Sequence, residues 1–97
     1  MKDIIEYGKF EWSQEKEKIN VLKHKIDFCS ATFAFLDPRR IIAVDELHSE
    51  DEPRLFCIGK IGNKIATVRF TLRGDRIRII GAGFWRKGKS FYEEENK

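Results

Sequence analysis

Residues 64–83, KIATVRFTLRGDRIRIIGAG, constrain the fold of this chain more than any other stretch. Apolar and polar positions alternate on both sides of Arg73-Gly74-Asp75, the pattern of two strands joined by a tight turn. Ala66, Val68, Phe70 and Leu72 precede the turn, and Ile77 and Ile79 follow it. A turn at Arg73-Gly74 pairs Phe70 with Ile77 and Val68 with Ile79, which makes one face apolar. It sets Thr71 opposite Arg76 and Arg69 opposite Arg78 on the other face. Moving the turn to Gly74-Asp75 changes the pairs but keeps the split. A one-residue slip scrambles both faces, so the register is well specified.

Like charges facing each other across a strand pair are destabilising. A ladder bearing Arg69, Arg76 and Arg78, with Arg73 at its tip, therefore has two readings. A polyanion, most naturally a nucleic-acid backbone, lies across it; or the arginines splay into water and pair with some of the chain's 16 acidic residues. Charge distribution bears on the choice. Residues 1–53 hold 8 Lys/Arg against 12 Asp/Glu, a sum of −4, and residues 54–97 hold 11 against 4, a sum of +7. The basic half contains the strands, which suggests an anionic ligand, an acidic partner or both.

At 97 residues the chain is read as one domain, residues 1–97, around one modest core. It has no apolar run long enough for a membrane helix and no signal-peptide pattern at its N-terminus. Cys29 and Cys57 lie among apolar residues and read as small hydrophobes in a reducing compartment, not as a disulfide. These features predict a soluble cytoplasmic protein without a membrane partner.

Along the chain, residues 1–8 form a weakly patterned lead-in and residues 9–12 a short strand. Ser13 is placed to cap a helix that ends near His24-Lys25, with Ile19, Val21, Leu22 and Ile26 as its buried stripe. Asp27 caps a second, short buried helix over residues 28–36, with Phe28, Ala31, Thr32, Phe35 and Leu36 on one face and Asp37-Pro38 closing it. Residues 41–44 read as a strand, 45–53 as an acidic loop, 54–61 as a strand, and Gly62-Asn63 as a turn into the hairpin. A final helix spans residues 84–95, weakened by Gly88. The fold class is α+β: a small antiparallel sheet, two N-terminal helices on one face and a short C-terminal helix, with the arginine face open.

The chain carries no zinc or calcium motif, no glycine-rich phosphate loop, and no Ser or Cys with a base at a diagnostic spacing. No metal or cofactor is expected. Arg, Lys, His and Tyr around a sheet suit RNA cleavage, in which the 2′-hydroxyl attacks its own phosphate and the protein supplies a base, an acid and cations. Each candidate also has a structural reading. His24 suits a helix C-terminus, His48 a solvated loop, Arg54 an ion pair, Asp75 a turn, and Trp85 and Tyr92 ordinary packing.

The ordered set Phe10-Glu11-Trp12, Lys23-His24, Phe35-Leu36-Asp37-Pro38, His48-Ser49-Glu50-Asp51-Glu52-Pro53-Arg54, Ile58-Gly59-Lys60 and Arg73-Gly74-Asp75-Arg76-Ile77-Arg78-Ile79-Ile80 closely resembles the BrnT family over roughly residues 9–93. These are ribonuclease toxins of type II toxin–antitoxin modules with a RelE-like fold. The resemblance implies RNA cleavage that arrests translation. It also implies a BrnA-like ribbon-helix-helix antitoxin, and operator DNA bound only through the toxin–antitoxin complex. It places catalytic roles on Lys23, His24, Arg54, Asp75 and Arg78, and RNA contacts on Arg69, Arg73, Arg76, Arg86 and Lys87. The strand end departs from the family's commonest pattern: Gly83 stands where many members carry an arginine, with Arg86 and Lys87 just beyond. A non-catalytic RNA- or partner-binding module of the same fold is the alternative.

Overall fold

The 64–83 stretch folds as a hairpin, β5 (Lys64–Arg73) and β6 (Arg76–Gly83), turning at Gly74-Asp75. Gly74 adopts φ +63°, a left-handed conformation that favours glycine. Leu72 pairs with Ile77, Phe70 with Ile79 and Thr71 with Arg78. A bulge then shifts the register, so that Arg69 faces Gly81 and Ile80 is the extra residue. The expected separation of an apolar face from an arginine face is present, with the second of the two turn positions.

The computed structural model describes residues 3–97. Four more strands, β1 (Ile4–Tyr7), β2 (Phe10–Ser13), β3 (Ile41–Val44) and β4 (Leu55–Ile61), complete a six-stranded sheet of order β1-β2-β6-β5-β4-β3. Three helices accompany it, α1 (Gln14–His24), α2 (Phe28–Ala31) and α3 (Arg86–Glu95), with 3₁₀ turns at Thr32–Leu36 and Glu46–His48. The described part of the N-terminal lead-in is thus largely a strand; Met1 and Lys2 lie outside the described residues. The sheet is mixed rather than antiparallel, because β2 runs parallel to β6. Side chains fix that pairing. Phe10 and Trp12 meet Ile77 and Ile79 on the apolar face, and Glu11 meets Arg78 on the other.

The main core lies on the apolar face, where Phe28, Ala31 and Ala34 pack on Ala66, Val68, Phe70, Ile79 and Trp12. Each large side chain fully buried here, such as Phe28 or Val68, contributes about 1.5–3 kcal/mol. Asp27 caps α2 through the backbone N–H of Ser30 at 2.7 Å. The segment after α2 tightens into a 3₁₀ turn, which turns Leu36 out to solvent instead of burying it. Gly59 of β4 permits the contact beneath it, since a Cβ there would lie 2.3 Å from the carbonyl oxygen of Ala34.

Helix α1 does not sit on that face beside α2. Ser13 caps it and it stops after His24, as the sequence predicts, and Lys25 closes it in a left-handed conformation. Its expected apolar stripe is exposed, however, at Ile19, Val21 and Leu22, and its buried residue is Asn20. The side chain of Asn20 donates to the carbonyls of Ala82 and Ile26, both at 3.0 Å, and accepts from the N–H of Ala82 at 3.1 Å. β2 pairs with β6 only as far as Ile79. Beyond that point α1 takes over the strand's edge, and one amide satisfies both backbone groups of Ala82.

The second sheet face is divided in two. The part over β4 and the first half of β5 is apolar and carries α3, with Tyr92 packed on Ile58 and Ile65. Gly88 is what brings this helix close, because a Cβ there would lie 2.0 Å from Thr67 Oγ1. Asp37 ties three elements together by accepting from the Tyr92 hydroxyl at 2.6 Å, the Lys60 N–H at 2.7 Å and the Arg39 N–H at 2.8 Å. Cys57 is fully buried, and desolvation pushes its thiol up to about 12, which suits a packing residue. The other half of this face carries the arginines.

Candidate nucleic-acid interface

The arginine ladder is compensated by a residue the sequence reading left without a role. Glu11 of β2, its side chain 10% exposed, meets Arg76 Nε at 3.0 Å and Arg78 Nε at 2.6 Å. Arg76 also donates to the carbonyl of Phe10 at 2.7 Å. Burial pushes the Glu11 carboxyl up, but the hydrogen bonds and charges of Arg78 and then Arg76 outweigh it and hold the group below its ordinary value. Arg73 is held in turn by a forked pair to Glu52 at 3.2 and 3.3 Å. Cross-strand repulsion is thus relieved within the fold, and Arg76 is a structural residue first. The signal that would have revealed this is the alternation of Glu11 between Phe10 and Trp12, which sends it to the arginine face once β2 is paired.

A basic trough remains beside these pairs, made of adjoining depressions. One, of about 60 Å³, is lined by Lys16, Arg54, Arg73 and Arg78, with Ser13, Thr71 and Glu52. The next, of about 200 Å³, shares Lys16 and Ile80 with it and adds Lys23, His24, Arg69 and Trp85. α1 forms its wall because the helix lies along the edge of β6, which turns Lys16, Lys23 and His24 toward the sheet's basic half. Arg54 enters from the start of β4; its Nε is buried without a hydrogen-bond partner, and Glu52 stands 3.9 Å away. His24 meets the Trp85 ring edge-on, with centroids 4.9 Å apart.

A third depression, of about 600 Å³, continues past Arg69 and Trp85 as an apolar groove lined by Val44, Phe56, Phe91 and Lys87. His48 stands at its margin and also borders Arg54 and Glu52 in a depression under the acidic loop.

The structure therefore gathers Lys23, His24, Arg54, Arg69, Arg73, Arg78 and Lys87 around connected depressions. Arg76 lies beside them in its ion pair with Glu11. Asp75 is exposed at the hairpin tip and Arg86 is exposed at the start of α3; neither is among the residues lining these depressions. Lys16 lines them without having been singled out for the site, and so does His48, a candidate whose structural reading was a solvated loop. Trp85 explains the strand end: a Cβ on Gly83 would lie 2.7 Å from its ring, so the indole occupies the space above that glycine. Among the described residues no group of three or more His, Cys, Asp and Glu side chains is placed to hold a metal ion. No helix is long and apolar enough to cross a membrane.

Fold and site together define a small α+β domain with a mixed sheet and a cationic trough on one face. Residues 12–88 match the family model described as the ribonuclease toxin BrnT of type II toxin–antitoxin systems. The chain belongs to that family, as its ordered motifs implied. Curated proteins give no significant match. Membership carries a ribonuclease toxin's class of activity, an antitoxin partner and an RNA target.

Proposed function

We propose that the chain is a metal-independent endoribonuclease that cuts RNA in the trough and thereby arrests translation. The observation that carries this reading is the run of cations Lys16, Lys23, Arg54 and Arg69 along adjoining depressions, none with a carboxylate among the described residues nearer than the 3.9 Å between Arg54 and Glu52. RNA brings its own nucleophile to such a site. The 2′-hydroxyl attacks the adjacent phosphorus and the 5′-oxygen leaves, so the protein need supply only proton transfer and positive charge. Arg54 and Arg78, which line the small depression together with Lys16, are assigned to the charge that builds on phosphate. Lys23, Arg69 and Lys87 are assigned to the strand's other phosphates.

A BrnA-like antitoxin with a ribbon-helix-helix domain is the proposed partner. It would cover this face, block substrate and carry the complex to operator DNA in the cytoplasm. The RelE-like character of the fold belongs to the same reading. One observation favours the alternative of a partner- or RNA-binding module: the apolar groove is larger than the basic depressions and suits a protein side chain as well as a base.

Turnover decides between them. Purified protein, substoichiometric to a labelled single-stranded RNA and in the presence of EDTA, is expected to cut many equivalents, with Lys23→Ala and Arg54→Ala each slowing it. RNA shifted in a gel but left intact would establish the binding module instead. Cutting that requires an added divalent cation would reject metal independence.

A further inference from the structure

We propose that His48, oriented by Asp45, is the general base of the cleavage reaction. The inference rests on the ribonuclease reading above and assigns a group that the reading leaves open. As a solvated acidic loop, residues 45–53 would leave Asp45 in water. Instead Asp45 is 5% exposed and its carboxylate lies 2.8 Å from His48 Nδ1.

The loop is closed around this pair. The Asp45 N–H donates to the carbonyl of Arg54 at 2.7 Å, and the Asp45 carbonyl accepts from Ser49 Oγ at 2.6 Å. Ser49 Oγ in turn accepts from the Arg54 N–H at 3.0 Å. A carboxylate can only accept, so Nδ1 carries the hydrogen and the lone pair of the neutral ring is on Nε2. The His48 side chain is 57% exposed, so Nε2 is open to substrate. This is the arrangement by which a carboxylate fixes the tautomer of a catalytic imidazole. His24, the other histidine, has the edge of Trp85 beside it.

Placement completes the case. His48 lines the groove that also holds Arg69, Lys87 and Trp85, and it borders Arg54 on its other side. The base thus shares one depression with Arg54 and another with Arg69 and Lys87, three of the cations assigned to phosphate. Nε2 takes the proton of the 2′-hydroxyl, a bond forms from the 2′-oxygen to phosphorus, and the bond from phosphorus to the 5′-oxygen breaks. The departing oxygen takes a proton from water, and the imidazolium gives its own to the hydroxide left behind, which restores the neutral ring. The products are a 2′,3′-cyclic phosphate and a 5′-hydroxyl.

The test is single-turnover cleavage of a labelled RNA across a pH series, with binding followed in parallel by gel shift. His48→Ala, with His48→Gln as a second variant should the first misfold, is expected to slow cleavage about 100-fold or more. RNA affinity should stay within about twofold. Asp45→Asn, a positioning variant, should lower the rate constant at saturating RNA rather than the affinity, and should displace the acidic limb of the pH profile. That limb, present in wild type because a protonated ring cannot take a proton, should be absent from the residual activity of His48→Ala. The charged groups around the ring are Asp45, in contact with it, and those lining the same depressions: Glu50, Asp51 and Glu52 of its own loop, Arg54 beyond it, Arg69 of β5 and Lys87 of α3. A wild-type rate, or an unchanged acidic limb, in a folded His48→Ala that still binds RNA would overturn the dyad while leaving the ribonuclease reading intact. A wild-type protein that binds RNA and never cuts it would overturn both.

Discussion

Glu11 shows how one residue changes what its neighbours mean. Three arginines on a hairpin face read as a docking strip until the strand that carries their counter-ion is in place. Removing one partner from such a largely buried cluster costs about 3 kcal/mol, because the remaining charges stay desolvated without compensation. Glu11→Gln should therefore lose about that much stability in denaturant melts at neutral pH; a loss within experimental error would mean that Arg76 and Arg78 do not depend on it. The pH dependence has a definite sign. The carboxyl is held below its ordinary value near 4.5 in the fold. Its contribution is complete above that value and is lost as pH falls through the lowered one. Wild-type stability should thus drop more steeply than that of Glu11→Gln on acidification. At Gly83 the reasoning is steric. Placing an arginine there forces a Cβ to within 2.7 Å of the Trp85 ring. Gly83→Arg alone should lower the melting temperature, and Trp85→Ala in the same chain should recover part of the loss. Simple additivity of the two changes would show that the ring does not occupy that space.

The elements were legible where periodicity and caps speak locally, and illegible where a partner far along the chain decides. The β5–β6 hairpin, the caps at Ser13 and Asp27, the stop after His24 and the strands on either side of the acidic loop follow from neighbouring residues alone. β1 is four residues long, too short for alternation to stand out in the lead-in, and although β2 shows as a strand over residues 9–12, its parallel pairing depends on β6 more than 60 residues later. α1 misled for a related reason. Its apolar residues suggest a helix on a core, yet it packs through Asn20 on a strand edge. That role is testable. Asn20→Ala strands the buried N–H and carbonyl of Ala82, each lost partner costing about 1–3 kcal/mol. The variant should be destabilised by several kcal/mol, and exchange of the Ala82 amide should accelerate more than that of amides on β4. Exchange that rises uniformly across the sheet would indicate global loosening, not an edge held by one side chain.

At the scale of the whole molecule, the charge sum of the C-terminal half foretold a basic surface but not which cations are free to act. Ion pairs narrow that: Arg73 and Arg76 are answered by Glu52 and Glu11, Arg78 shares Glu11 but still lines the trough, and Lys16 and Lys23 of the acidic half join Arg69 and Arg54, the last 3.9 Å from Glu52, along it. The candidate site is therefore drawn from both halves, and two of its cations come from the region that looked least suited to RNA. Salt dependence can count such cations. Each phosphate neutralised on a single strand contributes about 0.7 to the slope of log affinity against log salt, so Lys16, Lys23, Arg54 and Arg69 together predict a slope of roughly −3. Lys16→Ala and Arg54→Ala should each flatten it by about 0.7. Arg76→Ala, whose guanidinium is spent on Glu11 and the carbonyl of Phe10, should leave it nearly unchanged. A slope that responds to Arg76 and not to Lys16 would move the RNA off the trough and onto the hairpin face, and the counter-ion role of Glu11 would then be the feature in need of a different explanation.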